Sequence, residues 1–140
     1  MNNFSDRNKV RLTQKERKFL LENEACRIAT SHDDIPYVVP VAYIYDKGTI
    51  TFVTDYGTRK YRNLQVNKNV SVVVDVYDPS GENKAIVVLG KAVIIERGAE
   101  FKRLYRIFSR RFEWVRKNPW KEGEAPFVRV NAFNKVSWGL

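Results

Sequence analysis

The sequence predicts a mainly β protein, a small antiparallel β-barrel with flanking helices. Five or six short segments rich in β-branched and aromatic residues alternate with turn-forming residues along the 140-residue chain. Two or three amphipathic segments with helical spacing accompany them. A small antiparallel sheet leaves exposed edges unless it closes, so these segments favour a barrel.

The first predicted element is a helix from about residue 13 to residue 24. Leu12 precedes Thr13, and Glu16 follows three residues later, which is the pattern of a hydrophobic residue before a capping box. Such a box satisfies backbone N–H groups that a helix N-terminus leaves free. The helix is therefore expected to begin near Gln14.

A strand-rich block from about residue 26 to residue 97 follows. Short turns join its first three strands into an antiparallel meander, and a short helix is predicted from Arg59 to Val66. The last two strands are apolar on both faces, as expected for strands covered on both sides. The predicted strands of this block are Arg27–Ser31, Tyr37–Tyr45, Thr49–Thr54, Val70–Tyr77 and Ala85–Glu96.

A long amphipathic helix is predicted from about residue 98 to residue 118, and a last strand from about residue 127 to residue 133. One side of this helix is cationic. Such a side most often faces solvent, and binding in a nucleic-acid groove is the rarer alternative. Trp114 lies near the polar side and is a candidate for a subunit contact or a ligand edge. The apolar side is Phe101, Leu104, Tyr105, Phe108, Phe112 and Val115, and the cationic side is Arg103, Arg106, Arg110 and Lys117.

Length and composition predict one domain over residues 1–140, because 44% hydrophobic content at this length can bury a single core. No apolar segment approaches the roughly 20 residues that span a bilayer, and the N-terminal residues do not resemble a signal peptide. We therefore expect a cytoplasmic protein with no membrane partner. With one cysteine, Cys26, and one histidine, His32, the chain is expected to contain neither an internal disulfide nor a metal site.

The net charge of +9 favours an anionic partner, which could be a nucleic acid, a membrane surface or a phosphorylated small molecule. Much of the excess lies in the segments Arg7–Lys18 and Arg97–Lys117. Charge alone does not choose among these partners.

The strongest functional signal is the end of the third predicted strand. A turn follows it, and Thr58, Arg59 and Lys60 then begin the predicted short helix. A hydroxyl, two cations and free backbone N–H groups at a helix N-terminus form a seat for phosphate. Cations at this position oppose the helix dipole unless an anion is present. The segment therefore predicts a phosphorylated ligand.

Four motifs in order resemble the FMN-binding split-barrel family named for pyridoxamine 5'-phosphate oxidase. They lie between Leu12 and Gly90 and read CRIATS, IPYVVPVAY, FVTD with TRKYRNL, and NKNVSVVVD, and the closing VSWG also resembles small members. The resemblance implies an antiparallel, Greek-key-like split barrel with bound FMN.

Family members hold the flavin phosphate with Thr or Ser followed by Arg-Lys after the third strand. In this chain the resemblance assigns that role to Thr58, Arg59 and Lys60. It places Thr54 near the phosphate and ribityl chain, and Arg27 at a first-strand position that often turns towards the phosphate.

The resemblance also implies a place for the isoalloxazine ring. In relatives the ring edge lies along the backbone of the second strand, which here is Val38, Val39, Pro40 and Val41. Asn63 belongs to the short-helix motif, and Trp138 matches a C-terminal aromatic residue near the flavin. Pro40 cannot donate to a strand ladder, so it is expected to break regular pairing.

The family implies a homodimer with the cofactor at the subunit interface, and an oxidoreductase that acts on an unidentified small molecule. No catalytic side chain can be named, since the flavin itself performs the redox step. Oxidation of vitamin B6 is not expected, because the chain ends VSWGL instead of the substrate-binding Arg-Leu-x-Pro. The alternatives are a deazaflavin (F420)-dependent reductase of the same fold and, from another class, a basic nucleic-acid-binding barrel, which is less favoured.

Overall fold

The computed structural model describes residues 10–140, so the basic segment Arg7–Lys18 begins outside the described residues. Seven antiparallel strands curl into a half-barrel with helices beside it, which confirms the predicted mainly β fold. The helices are α1 (Gln14–Glu22), α2 (Arg59–Val66), α3 (Gly98–Arg111) and α4 (Glu113–Lys117), and the strands are β1 (Ala25–His32), β2 (Ile35–Ala42), β3 (Ile44–Asp46), β4 (Thr49–Val53), β5 (Asn69–Val76), β6 (Lys84–Ile95) and β7 (Phe127–Trp138).

The two edge strands of the sheet are consecutive pieces of chain that meet at Tyr43. The strand order is β2-β1-β5-β6-β7-β4-β3, and the single strand predicted from Tyr37 to Tyr45 is therefore two strands. Tyr43 is fully buried, its N–H donates to Glu24 O (2.9 Å) and its hydroxyl donates to Leu20 O (2.6 Å). These tertiary bonds allow the chain to leave β1 and pair with β4, a change that strand propensity does not encode.

Buried apolar side chains form two clusters. One lies on the concave side of the sheet, where alternate residues of each strand point inwards. The second lies between α3, α4 and the β7 end of the sheet, and it is rich in aromatic rings. Full burial of each such side chain contributes about 1.5–3 kcal/mol. The largest members of the second cluster are Phe101, Leu104, Phe108, Phe112 and Phe127.

The predicted capping box starts α1. Thr13 N donates to Glu16 Oε1 (2.8 Å), and Glu16 N donates to Thr13 Oγ1 (3.1 Å). The buried Glu16 carboxylate also accepts from Lys135 Nζ (2.5 Å) and Ser137 Oγ (2.6 Å) on β7. Burial raises the pKa of Glu16, but these hydrogen bonds outweigh it and the pKa is lowered overall. Glu16 therefore both caps α1 and connects this helix to the sheet.

The long helix predicted to reach residue 118 ends at Arg111. Phe112 is extended (φ −118°, ψ 120°), and α4 begins after it. The Phe112 ring stays buried with its centroid 5.5 Å from that of Phe108, so the apolar spacing continues across the break. The apolar spacing in the sequence therefore does not reveal the break between α3 and α4. No helix within residues 10–140 is long and apolar enough to cross a bilayer.

The last strand continues to Trp138, five residues beyond the predicted end at residue 133. It pairs with β6 across a bulge at Leu89 and Gly90. A Cβ atom on Gly90 would lie 2.6 Å from Asn131 O, so only glycine fits at this crossing. The sequence does not predict this extension, because the partners of residues 134–138 are distant residues on β6.

Arg103 does not belong to the solvated cationic face that the sequence predicts. Its guanidinium is 24% exposed and binds Glu100 Oε1 (2.7 Å) and Asp46 Oδ2 (2.7 Å). Arg129 of β7 contacts the same Glu100 carboxylate. The hydrogen bond from Arg103 lowers the pKa of Glu100 to about 2, against desolvation and with help from Arg129. This network joins α3 to β3 and β7.

The Glu100 network predicts an acid-sensitive contribution to stability. The folded-state pKa of Glu100 is depressed from 4.5 to about 2, so its contribution is present above pH 4.5 and is lost as the pH falls towards 2. We expect Glu100→Gln to be less stable than the parent at pH 7, and the difference to shrink across this window. Urea unfolding at several pH values measures it, and Glu113→Gln on α4 is the control. A difference that does not change with pH would contradict the assignment.

Candidate cofactor site

Threonine hydroxyls organise the turn between β4 and α2. Thr58 is the N-cap of α2, and its Oγ1 accepts a hydrogen bond from Tyr61 N (3.3 Å). The same hydroxyl donates to Asp55 O (2.9 Å) and lies 2.9 Å from Thr54 Oγ1. Thr54 N donates to Pro126 O (3.2 Å), which ties the turn to the start of β7. The structure thus places two neighbouring hydroxyls at the N-terminus of α2.

Arg59 and Lys60 extend to different sides of α2, since consecutive helical residues project about 100° apart. The Arg59 Cζ atom lies 5.4 Å from the centre of the Tyr37 ring, beside a cavity of about 90 Å³. Lys60 instead lines a cavity of about 430 Å³ together with Thr54 and Trp114. The two cations flank the helix N-terminus from either side and do not form a joint fork.

The cavity that contains Lys60 has the size of a small-molecule site. Burial lowers the pKa of the Lys60 ammonium, and the Asp55 carboxylate partly offsets this effect. The Trp114 and Trp120 rings are nearly parallel, with an interplanar angle of 7° and centroids 6.3 Å apart, and both line the cavity. The lining residues are Val53, Thr54, Asp55, Lys60, Trp114, Asn118, Trp120, Glu124 and Ala125. A partly desolvated cation beside an aromatic wall favours an aromatic anion.

Asn63 fixes α2 against β1. Its side chain is buried, and Nδ2 donates to the buried Thr30 Oγ1 (3.0 Å). One turn further on, Asn67 Nδ2 donates to Ser31 Oγ (3.1 Å). Sequence reasoning singled out Asn63 but missed its partner and Asn67, because these bonds join residues more than 30 positions apart. The amide of Asn63 therefore positions the helix that carries Arg59 and Lys60.

β2 is an edge strand, and Pro40 does not break its pairing. The register with β1 continues without a bulge from Ile35 to Ala42, with Pro40 opposite Arg27. Proline occurs in strands where its missing N–H faces an open edge. Since Pro36, Val38 and Pro40 alternate in the same phase, we infer that the Val38 N–H and C=O also face this edge.

Arg27 is paired with a carboxylate of β5, and Trp138 lies at the far end of β7 from the turn at α2. Arg27 Nη1 is paired with Asp75 Oδ1 (2.9 Å), and both side chains are exposed, so the pair contributes little to stability. Trp138 ends the 12-residue β7, whose first residue, Phe127, pairs with Val53 beside the turn. A strand of this length spans roughly 35 Å. Contact of either residue with a phosphate or a flavin stays a prediction.

The convex side of the sheet carries exposed apolar side chains on β2, β6 and β7. Directly opposed residues of neighbouring strands share a face, and the register aligns Pro40, Arg27, Val73, Val87 and Val136 in one row. Neighbouring rows add Val38, Leu89 and Trp138, all exposed. We call this surface the outer face. Apolar patches of this kind mark interaction surfaces.

Comparison with known families gives one decisive match. The sequence profile described as pyridoxamine 5'-phosphate oxidase matches residues 12–132. The chain belongs to the pyridoxamine 5'-phosphate oxidase family. Comparison with curated proteins gives no significant match.

Solved structures agree with the pyridoxamine 5'-phosphate oxidase fold. An FAD-binding protein from Mesorhizobium loti has a TM-score of 0.73 at 24% identity, covering 90% of this chain and 94% of that one. An FAD-binding protein from Mycobacterium smegmatis has a TM-score of 0.65 at 20% identity, covering 90% and 93%. The heme storage protein HutZ from Vibrio cholerae has a TM-score of 0.75 at 18% identity, covering 91% and 94%. At these identities the likeness establishes the fold alone.

Proposed function

We propose that this protein is a flavoprotein that binds FMN and acts as an oxidoreductase on a small molecule. Family membership supports a flavin, and so do the FAD-binding proteins among its structural relatives. The observation that carries the proposal is the N-terminus of α2, where Arg59 and Lys60 stand in a first turn without any acidic residue. Two cations at the positive end of a helix dipole are unfavourable until an anion binds.

The donors at this turn suit a terminal phosphate monoester. Backbone N–H groups of the first turn point out of the helix, and the Thr54 hydroxyl is adjacent to them. Thr58 Oγ1 accepts from Tyr61 N and donates to Asp55 O, so its proton would have to leave Asp55 O to reach a phosphate. Arg59 and Lys60 would flank the phosphate from two sides and neutralise its nearly two negative charges.

The open edge of β2 suits the flavin ring. The Val38 N–H and C=O offer hydrogen bonds to a polar ring edge, and Val39 and Val41 are half-buried towards the core and keep the strand in place. When bound, the isoalloxazine supplies the hydride or electron transfer. The residues of this chain bind the cofactor, orient it and shield one side of it from water.

We also propose a homodimer formed through the outer face. Val38 and Pro40 of β2 lie on this face, so a second copy would cover the strand along which the ring is placed. Trp138 is at the far end of β7 from Thr54, so a Trp138 that borders the flavin would come from the second copy.

The dimer predicts the effect of a charge on the outer face. Val136→Glu should raise the dimer dissociation constant by on the order of a hundredfold, because the carboxylate would be buried without a partner. Sedimentation velocity over a range of protein concentrations measures it. Leu21→Glu is a matched control, since Leu21 is 53% exposed and Val136 56%, but Leu21 lies on α1. Parent protein that sediments as a monomer at all concentrations would reject the dimer.

The structure favours flavin over haem. His32 is the only histidine in the sequence, and its exposed ring lies 3.2 Å from Asp33 Oδ2. The cavity next to it measures about 90 Å³, well below the size of typical cofactor sites. Within one copy of the chain, the cavity beside His32 is therefore too small for a haem macrocycle.

The test of function is the identity of the bound cofactor. Protein purified from its native host should be yellow, absorb near about 450 nm, and release on the order of one FMN per chain. Mass spectrometry of the released molecule distinguishes FMN from FAD and from a deazaflavin. A colourless protein that refuses added FMN and binds nucleic acid with a steep salt dependence would reverse the proposal in favour of the nucleic-acid-binding alternative.

A further inference from the structure

A second cavity lies between α3 and the segment that leads into β7. Its volume is about 320 Å³, and neither Thr54 nor Lys60 lines it, so it is distinct from the cavity that contains Lys60 although Trp120 lines both. Three aromatic residues and four charged residues surround it: Phe101, Tyr105 and Trp120, with Lys102, Arg106, Lys121 and Glu122. We call it the α3 cavity.

The aromatic residues of the α3 cavity hold one another in place. The Tyr105 and Trp120 rings meet edge to face, with centroids 4.9 Å apart and an interplanar angle of 71°. The Phe101 and Tyr105 rings are stacked with centroids 6.3 Å apart. The Tyr105 hydroxyl accepts a hydrogen bond from Trp120 N (3.3 Å). Flat walls fixed in this way suit a planar ring.

Two buried polar atoms of the cavity residues have no hydrogen-bond partner. Within residues 10–140 only three buried side-chain polar atoms are in this condition, and Trp120 Nε1 and Glu122 Oε1 are two of them. Glu122 Oε1 lies 3.9 Å from Lys102 Nζ, which is an ion-pair distance but too long for a hydrogen bond. Buried polar groups are rarely left unpaired, and an indole N–H can only donate. Both atoms are closed to solvent, so neither meets a ligand in the cavity unless its own side chain moves.

The rim of the α3 cavity is cationic. Lys102 faces Glu122, while Arg106 and Lys121 form no ion pair within the part of the chain that the structure describes. Guanidinium and ammonium groups beside an apolar pocket select a carboxylate or a similar anion. The two cations without an ion pair, Arg106 and Lys121, thus favour an anionic ligand group.

We propose that the α3 cavity is a binding site for a planar aromatic carboxylate of one or two rings. The ring lies against Tyr105 and Trp120, and the carboxylate accepts hydrogen bonds from the exposed Arg106 guanidinium. The volume is at the lower end of the range of small-molecule sites, so the cavity accommodates such an acid but not a flavin. This site is additional to the proposed FMN site and does not depend on it.

Calorimetric titration of the full-length protein with 2-naphthoate tests the proposal. We expect one site per chain, and saturating FMN should not displace naphthoate from it. The neutral 2-naphthamide should bind about tenfold more weakly, because it lacks the charge that the rim selects. Trp120→Leu removes one aromatic wall of the cavity, and it should weaken naphthoate binding about fivefold to tenfold.

Arg106 is exposed on α3, so Arg106→Gln should leave the fold intact and report on ligand binding alone. It should weaken naphthoate binding by about tenfold, whereas Arg110→Gln on the same helix should leave it unchanged. Melting curves confirm that the variants are folded. Absence of saturable binding, equal affinity for acid and amide, displacement of naphthoate by FMN, or parent-like affinity in Arg106→Gln would each overturn the proposal.

Discussion

Replacement of both Arg59 and Lys60 by alanine is expected to weaken FMN binding by about a hundredfold or more. Each charge-assisted hydrogen bond to a phosphate contributes about 1.5–3 kcal/mol, and about 1.4 kcal/mol corresponds to a factor of ten in affinity. Quenching of FMN fluorescence on titration with protein measures the dissociation constant. The cofactor-free variant should melt near the parent temperature, since two cations at the start of α2 oppose the helix dipole.

Single variants and a matched control sharpen this prediction. Arg59 and Lys60 lie beside different cavities, so each alanine alone should weaken FMN binding by about tenfold. Lys15→Ala with Lys18→Ala removes the same charge from exposed positions of α1 and should leave the affinity unchanged. Saturating FMN should raise the melting temperature of the parent more than that of the Arg59 and Lys60 double variant. Equal FMN affinity in the parent and that double variant would remove the basis of the proposed site.

Phe127→Ala is expected to lower the free energy of unfolding by about 3–5 kcal/mol, the usual cost of truncating a fully buried phenylalanine. The Phe127 ring is completely buried, and its centroid lies 5.0 Å from those of Phe101 and Phe108. It is also 5.9 Å from the Trp120 ring. Removal of the ring would leave a cavity where α3 meets the sheet, and urea unfolding of the cofactor-free protein measures the loss.

Phe133→Ala is the control for this truncation. Phe133 lies on the same strand but is 40% exposed, so its loss should lower the free energy of unfolding by less than about 1 kcal/mol. Phe127 also pairs with Val53 next to the turn at Thr54, so its variant should bind FMN less tightly as well. Equal losses of stability in the two variants would contradict the packing of the second aromatic cluster.

Local patterns predicted the elements whose causes are local. The capping box of Thr13 and Glu16 formed as expected, and Thr58 caps α2 at the predicted position. Both signals depend on residues within one helical turn, where a side chain can reach the backbone of its neighbours. The fold class followed from the alternation of apolar strands and turns.

Features that depend on distant partners did not follow from the sequence. The division at Tyr43 depends on acceptors in the segment before β1, and the ion pairs of Arg103 depend on Asp46, which is far away along the chain. Similarly, Arg59 and Lys60 are neighbours in the sequence, but helix geometry directs their side chains to different cavities. The residue types identified these positions as important, but the direction of each side chain could be known only from the three-dimensional fold.

Trp120 lines both the Lys60 cavity and the α3 cavity. A ligand in one cavity that rotates the Trp120 indole changes the surface that a ligand in the other cavity contacts. Thermodynamic reciprocity then requires that any influence of the first ligand on the affinity of the second be returned by an equal factor. One tryptophan side chain therefore provides a physical link between two otherwise separate occupancies, and its emission spectrum would register each of them.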